Sequence, residues 1–169
     1  MENGAVKIKD NLYYDERSAG GIVFKRENGK ILWFIIRTVS LKSSQKRRKF
    51  PIYKFPKGHL KDGEFLKEAA LREVEEEGRI KAKIVSKIGS NDYILWDKIE
   101  KKKVIKKVTF FLMEYVGESD LKYFDQEMVV ERGWYSFEEA SKKLAFDSET
   151  VLLDKAKKRL ESLKTPLSR

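Results

Sequence analysis

The 169-residue chain has no cysteine and a single histidine, His59. The first absence excludes disulfides, thiolate metal sites and a cysteine nucleophile. The second excludes any site built on several imidazoles. A metal centre here would have to use oxygen ligands, the preference of magnesium, with manganese as the alternative. Long apolar runs are also missing: none reaches the roughly 18–20 residues that span a bilayer. The first ten residues lack the apolar core of a signal peptide. The expectation is a cytoplasmic protein with no membrane partner. Internal repeats and Pro/Gly/Ser-rich linkers are absent too, so residues 1–169 are expected to form one domain.

Charge is what the chain has in quantity. Charged residues make up 38% and hydrophobic residues 41%, with a formal net charge of +10. Such a balance attracts polyanions, including nucleotides, RNA and inositol phosphates, although a solubilising lysine surface has the same composition. Ala19 to Phe24 and Ile31 to Arg37 read as strands joined by Asn28-Gly29, a strong hairpin signal. Lys42 to Lys49 is a basic polar loop without periodicity. Asp62 to Glu77 is predicted helical, with Gly78 as its C′ residue. Ile80 to Ile88, Asp92 to Trp96 and Val104 to Val116 read as further strands. Ser136 and Glu139 form a capping-box pattern that opens a short helix. A last helix is predicted from Ser148 to Leu163, with Val151, Leu152, Ala156, Leu160 and Leu163 at helical spacing. Strands, helix, strands, helices in that order imply a mixed sheet with helices packed on it, an α/β or α+β fold.

The helix at 62–77 departs from ordinary amphipathic patterning. With Phe65 at zero and about 100° per residue, Ala69, Leu66, Ala70 and Val74 trace an apolar arc. Glu73, Glu76 and Glu77 fall within that arc, while Glu64, Glu68 and Glu75 lie opposite. Three carboxylates on a core-facing arc repel one another and lose hydration. They also sit at the helix end whose dipole disfavours anions. A positive partner is required. A divalent cation with hard-oxygen preference suits; a lysine from outside the helix, such as Lys57, is the alternative.

The residues around this helix identify a pattern. Phe55-Pro56-Lys57-Gly58-His59 precedes it, Glu64 follows Gly58, and Arg72-Glu73-Val74-Glu75-Glu76-Glu77 comes later. This resembles the Nudix box, with Gly58, Glu64, Arg72, Glu73, Val74, Glu76, Glu77 and Ile80 in register. The box's last glycine falls on Arg79, while Gly78 stands one residue early. Ser18-Ala19-Gly20-Gly21-Ile22-Val23-Phe24 resembles the family's opening strand. Glu127 with Trp134-Tyr135 resembles its late acidic loop and return strand.

The resemblance implies an α/β/α sandwich around a mixed sheet and magnesium-dependent hydrolysis of a nucleoside diphosphate linked to another group. Glu73, Glu76 and Glu77 are then the expected metal ligands, joined by the Gly58 carbonyl. Glu64 and Arg72 would brace loop against helix. Glu73 or Glu127 would be the general base, with Glu131 a rival for the late-loop role, and Lys57 would contact phosphate. His59 sits at a variable position of the box. The Phe-Pro-Lys-Gly-His run is most like the diadenosine tetraphosphate (Ap4A) hydrolase branch. Diphosphoinositol polyphosphate hydrolases and RNA 5′-pyrophosphohydrolases are close alternatives, and a noncatalytic nucleotide- or RNA-binding module is a reading of another class. Lys46-Arg47-Arg48-Lys49 is a candidate contact for extra phosphates or RNA. Tyr93, Trp96, Tyr123 and Phe124 are candidate base-stacking residues, although such aromatics also pack cores and sheet edges.

Overall fold

A computed structural model describes residues 6–7, 13–14, 16–40, 50–122 and 127–164. Its strands are β1 (Val6–Lys7), β2 (Tyr13–Tyr14), β3 (Glu16–Glu27), β4 (Lys30–Ser40), β5 (Ile52–Lys54), β6 (Lys57–His59), β7 (Ile80–Asp97), β8 (Lys102–Glu118) and β9 (Glu127–Tyr135). The helices are α1 (Leu66–Gly78), α2 (Phe137–Lys143) and α3 (Asp147–Lys164). The expected α/β/α sandwich around a mixed sheet is observed. The path β5-β4-β3-β8-β7 forms the main sheet, with β6 on β3 and β9 on β4. The β3–β8 pairing is parallel and the other main-sheet pairings are antiparallel.

Side-chain alternation along the strands divides the core in two. Ile22 and Phe24 of β3, Trp33 and Ile35 of β4, and Phe110 and Leu112 of β8 pack against Ala140, Leu152, Leu153, Ala156 and Leu160 from α2 and α3. The intervening residues Val23, Phe34, Ile36, Phe111 and Met113 pack against Ala69, Ala70 and Val74 of α1. The central strands are therefore apolar on both faces and read as near-continuous hydrophobic runs. Each fully buried side chain of this size stabilises the fold by about 1.5–3 kcal/mol.

The turn chemistry follows the sequence closely at two points. Asn28 and Gly29 have φ of 50° and 75°, the double positive φ of a type I′ hairpin. Ser136 caps α2 reciprocally: its hydroxyl accepts from the Glu139 N–H at 3.1 Å, and the Glu139 carboxylate accepts from the Ser136 N–H at 2.9 Å.

Elsewhere the structure corrects the sequence reading. The segments read as two strands within 80–96 are one strand, β7, whose register shifts at three places against β8 and so obscures the period-two pattern. The central helix starts at Leu66, not Asp62, and Phe65 is its exposed N-cap rather than part of the buried arc. In α3, Val151 and Leu163 are exposed, and Leu153 takes the buried place instead. The basic residues Lys46 to Lys49 and the aromatics Tyr123 and Phe124 lie outside the described residues.

The end of α1 differs most instructively. Gly78 is the last helical residue, not the C′ residue, and it is glycine because a Cβ there would press on the Phe34 ring. Arg79 makes the left-handed turn, at φ 58° and ψ 29°, with its N–H donated to the Glu75 carbonyl at 3.0 Å. Its guanidinium donates to the Leu121 carbonyl, and its own carbonyl accepts from the Ser119 N–H at 2.9 Å. A side chain in this conformation costs roughly 1–2 kcal/mol, and a β-branched one more. Arg79→Val is therefore expected to lower the melting temperature, whereas Arg79→Gly, which removes the steric cost along with the guanidinium's contacts, the Leu121 carbonyl among them, leaves it within a few degrees. Thermal melts of the three proteins check the order; an Arg79→Val protein as stable as the parent would contradict it.

Candidate active site

Two adjacent glycines in β3 bring the parts of the site together. A Cβ on Gly20 would strike the Pro56 carbonyl and the Lys57 side chain, and one on Gly21 would strike Val74 of α1 and Met113. Their absence lets both β6 and α1 lie close against β3. The Gly21 N–H donates to the Pro56 carbonyl at 3.1 Å, and β6 pairs through Ala19 and Gly58. Gly58 is then held so close to α1 that a Cβ would overlap the Glu73 carboxyl group. The absence of a side chain at residue 58 leaves the Glu73 carboxyl group the place it occupies against β6.

Arg72 organises the carboxylates. Its Nε and Nη2 donate to the two oxygens of Glu64 at 2.7 and 2.9 Å, a bidentate pair. Nη2 also donates to the His59 carbonyl at 2.9 Å. Nη1 donates to Glu73 Oε1 at 2.7 Å and to Glu76 Oε2 at 3.1 Å. One guanidinium thus joins the loop after β6 to three glutamates. The hydrogen bond to Arg72 holds the Glu64 carboxyl down at about 2, against opposition from burial. Burial raises the Glu73 carboxyl above its ordinary value, only partly countered by Arg72.

Glu73 and Glu77 are buried, as the helical wheel anticipates, and Glu76 is half-buried. Glu77 Oε2 accepts the Lys57 N–H at 2.9 Å, and the Glu77 carbonyl accepts from Arg132 Nε at 2.7 Å. The positive partners that the wheel required include Arg72, a residue of the helix itself.

Among the described residues no group of three acidic or histidine side chains converges on one point. Glu73 and Glu76 turn to Arg72, and Glu77 turns to the Lys57 amide. The donor chemistry nevertheless fits a hard divalent ion: three carboxylates within two helical turns, a backbone carbonyl at Gly58, and no side chain at residue 58 to crowd them. Side-chain rotation away from Arg72 would free the oxygens of Glu73 and Glu76.

The remaining sequence candidates are placed as follows. His59 is exposed, and its Nδ1 lies 3.3 Å from the Ser18 hydroxyl. Glu127 is in β9 opposite Ser40 of β4; its side chain lies outside the described residues. Glu131 accepts from the Tyr135 hydroxyl at 2.6 Å and the Tyr53 hydroxyl at 2.9 Å. These bonds, with Arg37 nearby, hold its carboxyl below the usual range, which makes it a weak proton acceptor. Tyr93 packs partly into the core, and Trp96 is exposed near the tip of the β7–β8 ribbon. Both lie along the ribbon away from the Thr109–Ala19–Gly58 rung beside the glutamates. A cleft of about 500 Å³ opens at the start of α1 between Leu60, Phe65, Leu66 and Phe111. Glu64 lines it, but Glu73, Glu76 and Glu77 do not.

Sequence reasoning missed Glu149. This α3 residue is buried, and its Oε1 accepts the Phe55 N–H at 3.0 Å. Burial pushes its carboxyl up to about 7, while the Phe55 amide, Lys57 and Lys54 pull the other way. The signal was available: Glu149, Leu152, Leu153, Ala156 and Leu160 share one stripe of α3 at helical spacing.

With this geometry in place, comparison with known proteins defines the class. The chain belongs to the NUDIX domain family, whose pattern matches residues 15–154. A curated protein of Mycobacterium tuberculosis named as mutator protein MutT4 is 31% identical over 150 residues, covering 89% of this chain and 58% of its own length. The chain thus spans a little over half of that relative. An Ap4A hydrolase of C. elegans, solved as a binary complex, superposes with a TM-score of 0.64 at 23% identity, covering 87% of this chain and 98% of that one. A NUDIX hydrolase from Listeria monocytogenes superposes with a TM-score of 0.67 at 18% identity, covering 89% and 98%. At such identities the two structures establish likeness of fold.

The Glu64–Arg72 pair has a testable pH signature. Its folded value of about 2 lies below the ordinary 4.5, so the stability it contributes is fully present above pH 4.5 and is lost as pH falls through about 2. The stability gap between the parent and Glu64→Gln, followed by thermal melts, is expected to narrow across that window. A gap unchanged by acidification would contradict the assignment.

Proposed function

We propose that this chain is a magnesium-dependent pyrophosphohydrolase that cleaves a phosphoanhydride bond in a nucleoside polyphosphate. A dinucleoside polyphosphate such as Ap4A is the foremost substrate. The carrying observation is the burial of Glu73 against Gly58 and of Glu77 against the Lys57 amide in a chain of the NUDIX family. Carboxylates aimed into such a place are costly unless they bind something positive. The likeness to the C. elegans Ap4A hydrolase and the Phe55-Pro56-Lys57-Gly58-His59 run favour the dinucleotide substrate. The net charge of +10 suits any polyanion. Among the described residues no helix is long and apolar enough to cross a membrane.

In this reading Glu73, Glu76, Glu77 and the Gly58 carbonyl hold the metal, with manganese able to substitute. The bound ion would neutralise phosphate oxygens and activate water. The chain's own residues do the rest. Arg72 gathers Glu73 and Glu76 on one guanidinium and draws the Glu73 carboxyl back down against burial, and both side chains would turn from it to take the ion. Lys57, next to Gly58 on β6, offers its ammonium to a phosphate. Glu73, raised above the usual carboxylate range by burial, accepts a proton from the attacking water; Glu127 is the candidate outside the box. Water adds to one phosphorus, the bridging P–O bond breaks, and two phosphate-bearing products leave.

Incubation with magnesium and Ap4A is expected to yield ATP and AMP, read by ion-exchange chromatography. Glu76→Gln and Glu77→Gln should each lower kcat by about a hundredfold or more, in line with the loss of charge stabilisation in the transition state. Parent-level turnover in both variants would remove them from the metal site. Turnover confined to RNA 5′-diphosphates or to diphosphoinositol phosphates in the same screen would transfer the substrate assignment.

A further inference from the structure

Three consecutive residues that lead into Gly58 are fixed by three different elements. The Phe55 N–H is held by Glu149 of α3, the Pro56 carbonyl by the Gly21 N–H of β3, and the Lys57 N–H by Glu77 of α1. α1 and α3 pack on opposite faces of the sheet. The loop is therefore clamped by a buried glutamate from each side. Only one of the two, Glu77, belongs to the family's box.

We infer that Glu149 is a positioning residue of the active site, clamping Phe55 from the α3 face so that Lys57 and Gly58 stay seated against the glutamates of α1.

Three observations support this. Glu149 is 1% exposed, so its polar end serves something inside the protein. Burying a carboxyl is expensive, and one amide hydrogen bond is a modest return for it. Its second oxygen, Oε2, is buried and has no hydrogen-bond partner among the described residues. A residue selected for stability alone at this place on the apolar stripe of α3 would be leucine or methionine. Finally, the other end of the loop lies directly against a glutamate of the site: Gly58 is so near that a Cβ there would displace the Glu73 carboxyl group. A loop released at Phe55 can shift Gly58 and Lys57 by a fraction of an ångström, enough to misplace groups that must meet a phosphate. Glu149 never touches the reacting atoms in this account; it acts through the backbone of Phe55 to Gly58.

The inference rests on the hydrolase reading for its effect on turnover, so the test includes readouts that need no substrate. Three variants separate the acceptor from the charge and the volume. Glu149→Gln keeps an acceptor oxygen at the same reach. Glu149→Asp keeps the charge and draws the acceptor back by one methylene. Glu149→Met keeps the volume and removes the acceptor. Amide hydrogen exchange at Phe55 and Lys57, Mn²⁺ affinity and kcat are measured for each.

Glu149→Gln is expected to stay within about threefold of the parent in all three measurements, since the clamp needs an acceptor and not a charge. Glu149→Met is expected to melt no lower than the parent, yet to exchange Phe55 at least about tenfold faster and to lose about ten- to a hundredfold in Mn²⁺ affinity and kcat. Glu149→Asp falls between. If Glu149→Met does not fold, the order of Gln against Asp decides: Gln closer to the parent supports the clamp, and Asp closer overturns it. Parent-like exchange and Mn²⁺ affinity in Glu149→Met also overturn it. Absence of turnover in the parent would count against the hydrolase reading alone, because exchange and Mn²⁺ binding would still judge Glu149.

Discussion

The guanidinium of Arg72 is the point on which the site depends. Its five N–H groups are shared among Glu64, Glu73, Glu76 and the His59 carbonyl. A planar, permanently charged fork can serve several acceptors at once in fixed directions, which a lysine ammonium cannot. The result is a loop, a helix start and a helix end held in one frame. Burial and the neighbouring Glu76 and Glu64 carboxylates raise the Glu73 carboxyl, and Arg72 is the group that pulls it back.

The second constraint is closeness. The helix, the sheet and the short β6 strand approach within van der Waals limits at Gly20, Gly21, Gly58 and Gly78, and each of the four would clash if it carried a Cβ. The backbone of β6 lies against both buried carboxylates: Gly58 faces the Glu73 carboxyl group, and the Lys57 N–H donates to Glu77. This explains how acidic residues can occupy a core-facing arc without converting it to a solvated face. The Arg72 guanidinium on Glu73 and the Lys57 N–H on Glu77 compensate part of the lost hydration.

Much of this was legible in the sequence, and for specific reasons. The wheel located Glu73 and Glu77 because helix geometry is regular enough to project over several turns. It failed at Phe65, because the turn closed by Gly63, at φ 75°, delays the helix start. Arg79 looked like a flaw in the pattern. The structure shows that the position demands a left-handed residue, which the arginine supplies at a steric cost while its side chain gains the Leu121 carbonyl. The β7 reading broke because each register shift moves side chains to the other face, which no period-two count can follow. Glu149 was passed over because an acid in the first turn of a helix is ordinarily solvated and favourable to the dipole. Only its place on the apolar stripe marks it out, and its partner, Phe55, is distant in sequence.

The single parallel rung of the main sheet also governs how the molecule comes to exist. β3 with β4, and β7 with β8, are hairpins whose strands are neighbours along the chain. Both can zip early, because closing a short loop is fast. The β3–β8 rung joins residues as far apart as Glu16 and Lys106, and it unites the two hairpins. Until that junction forms, α1 has only part of the platform it packs on, since Phe111 and Met113 of β8 are still to arrive. Completion of the floor under the acidic helix therefore waits on a pairing of strands distant in sequence. A nascent chain released before β8 would hold every residue of the box and still lack the Phe111 and Met113 that α1 packs against.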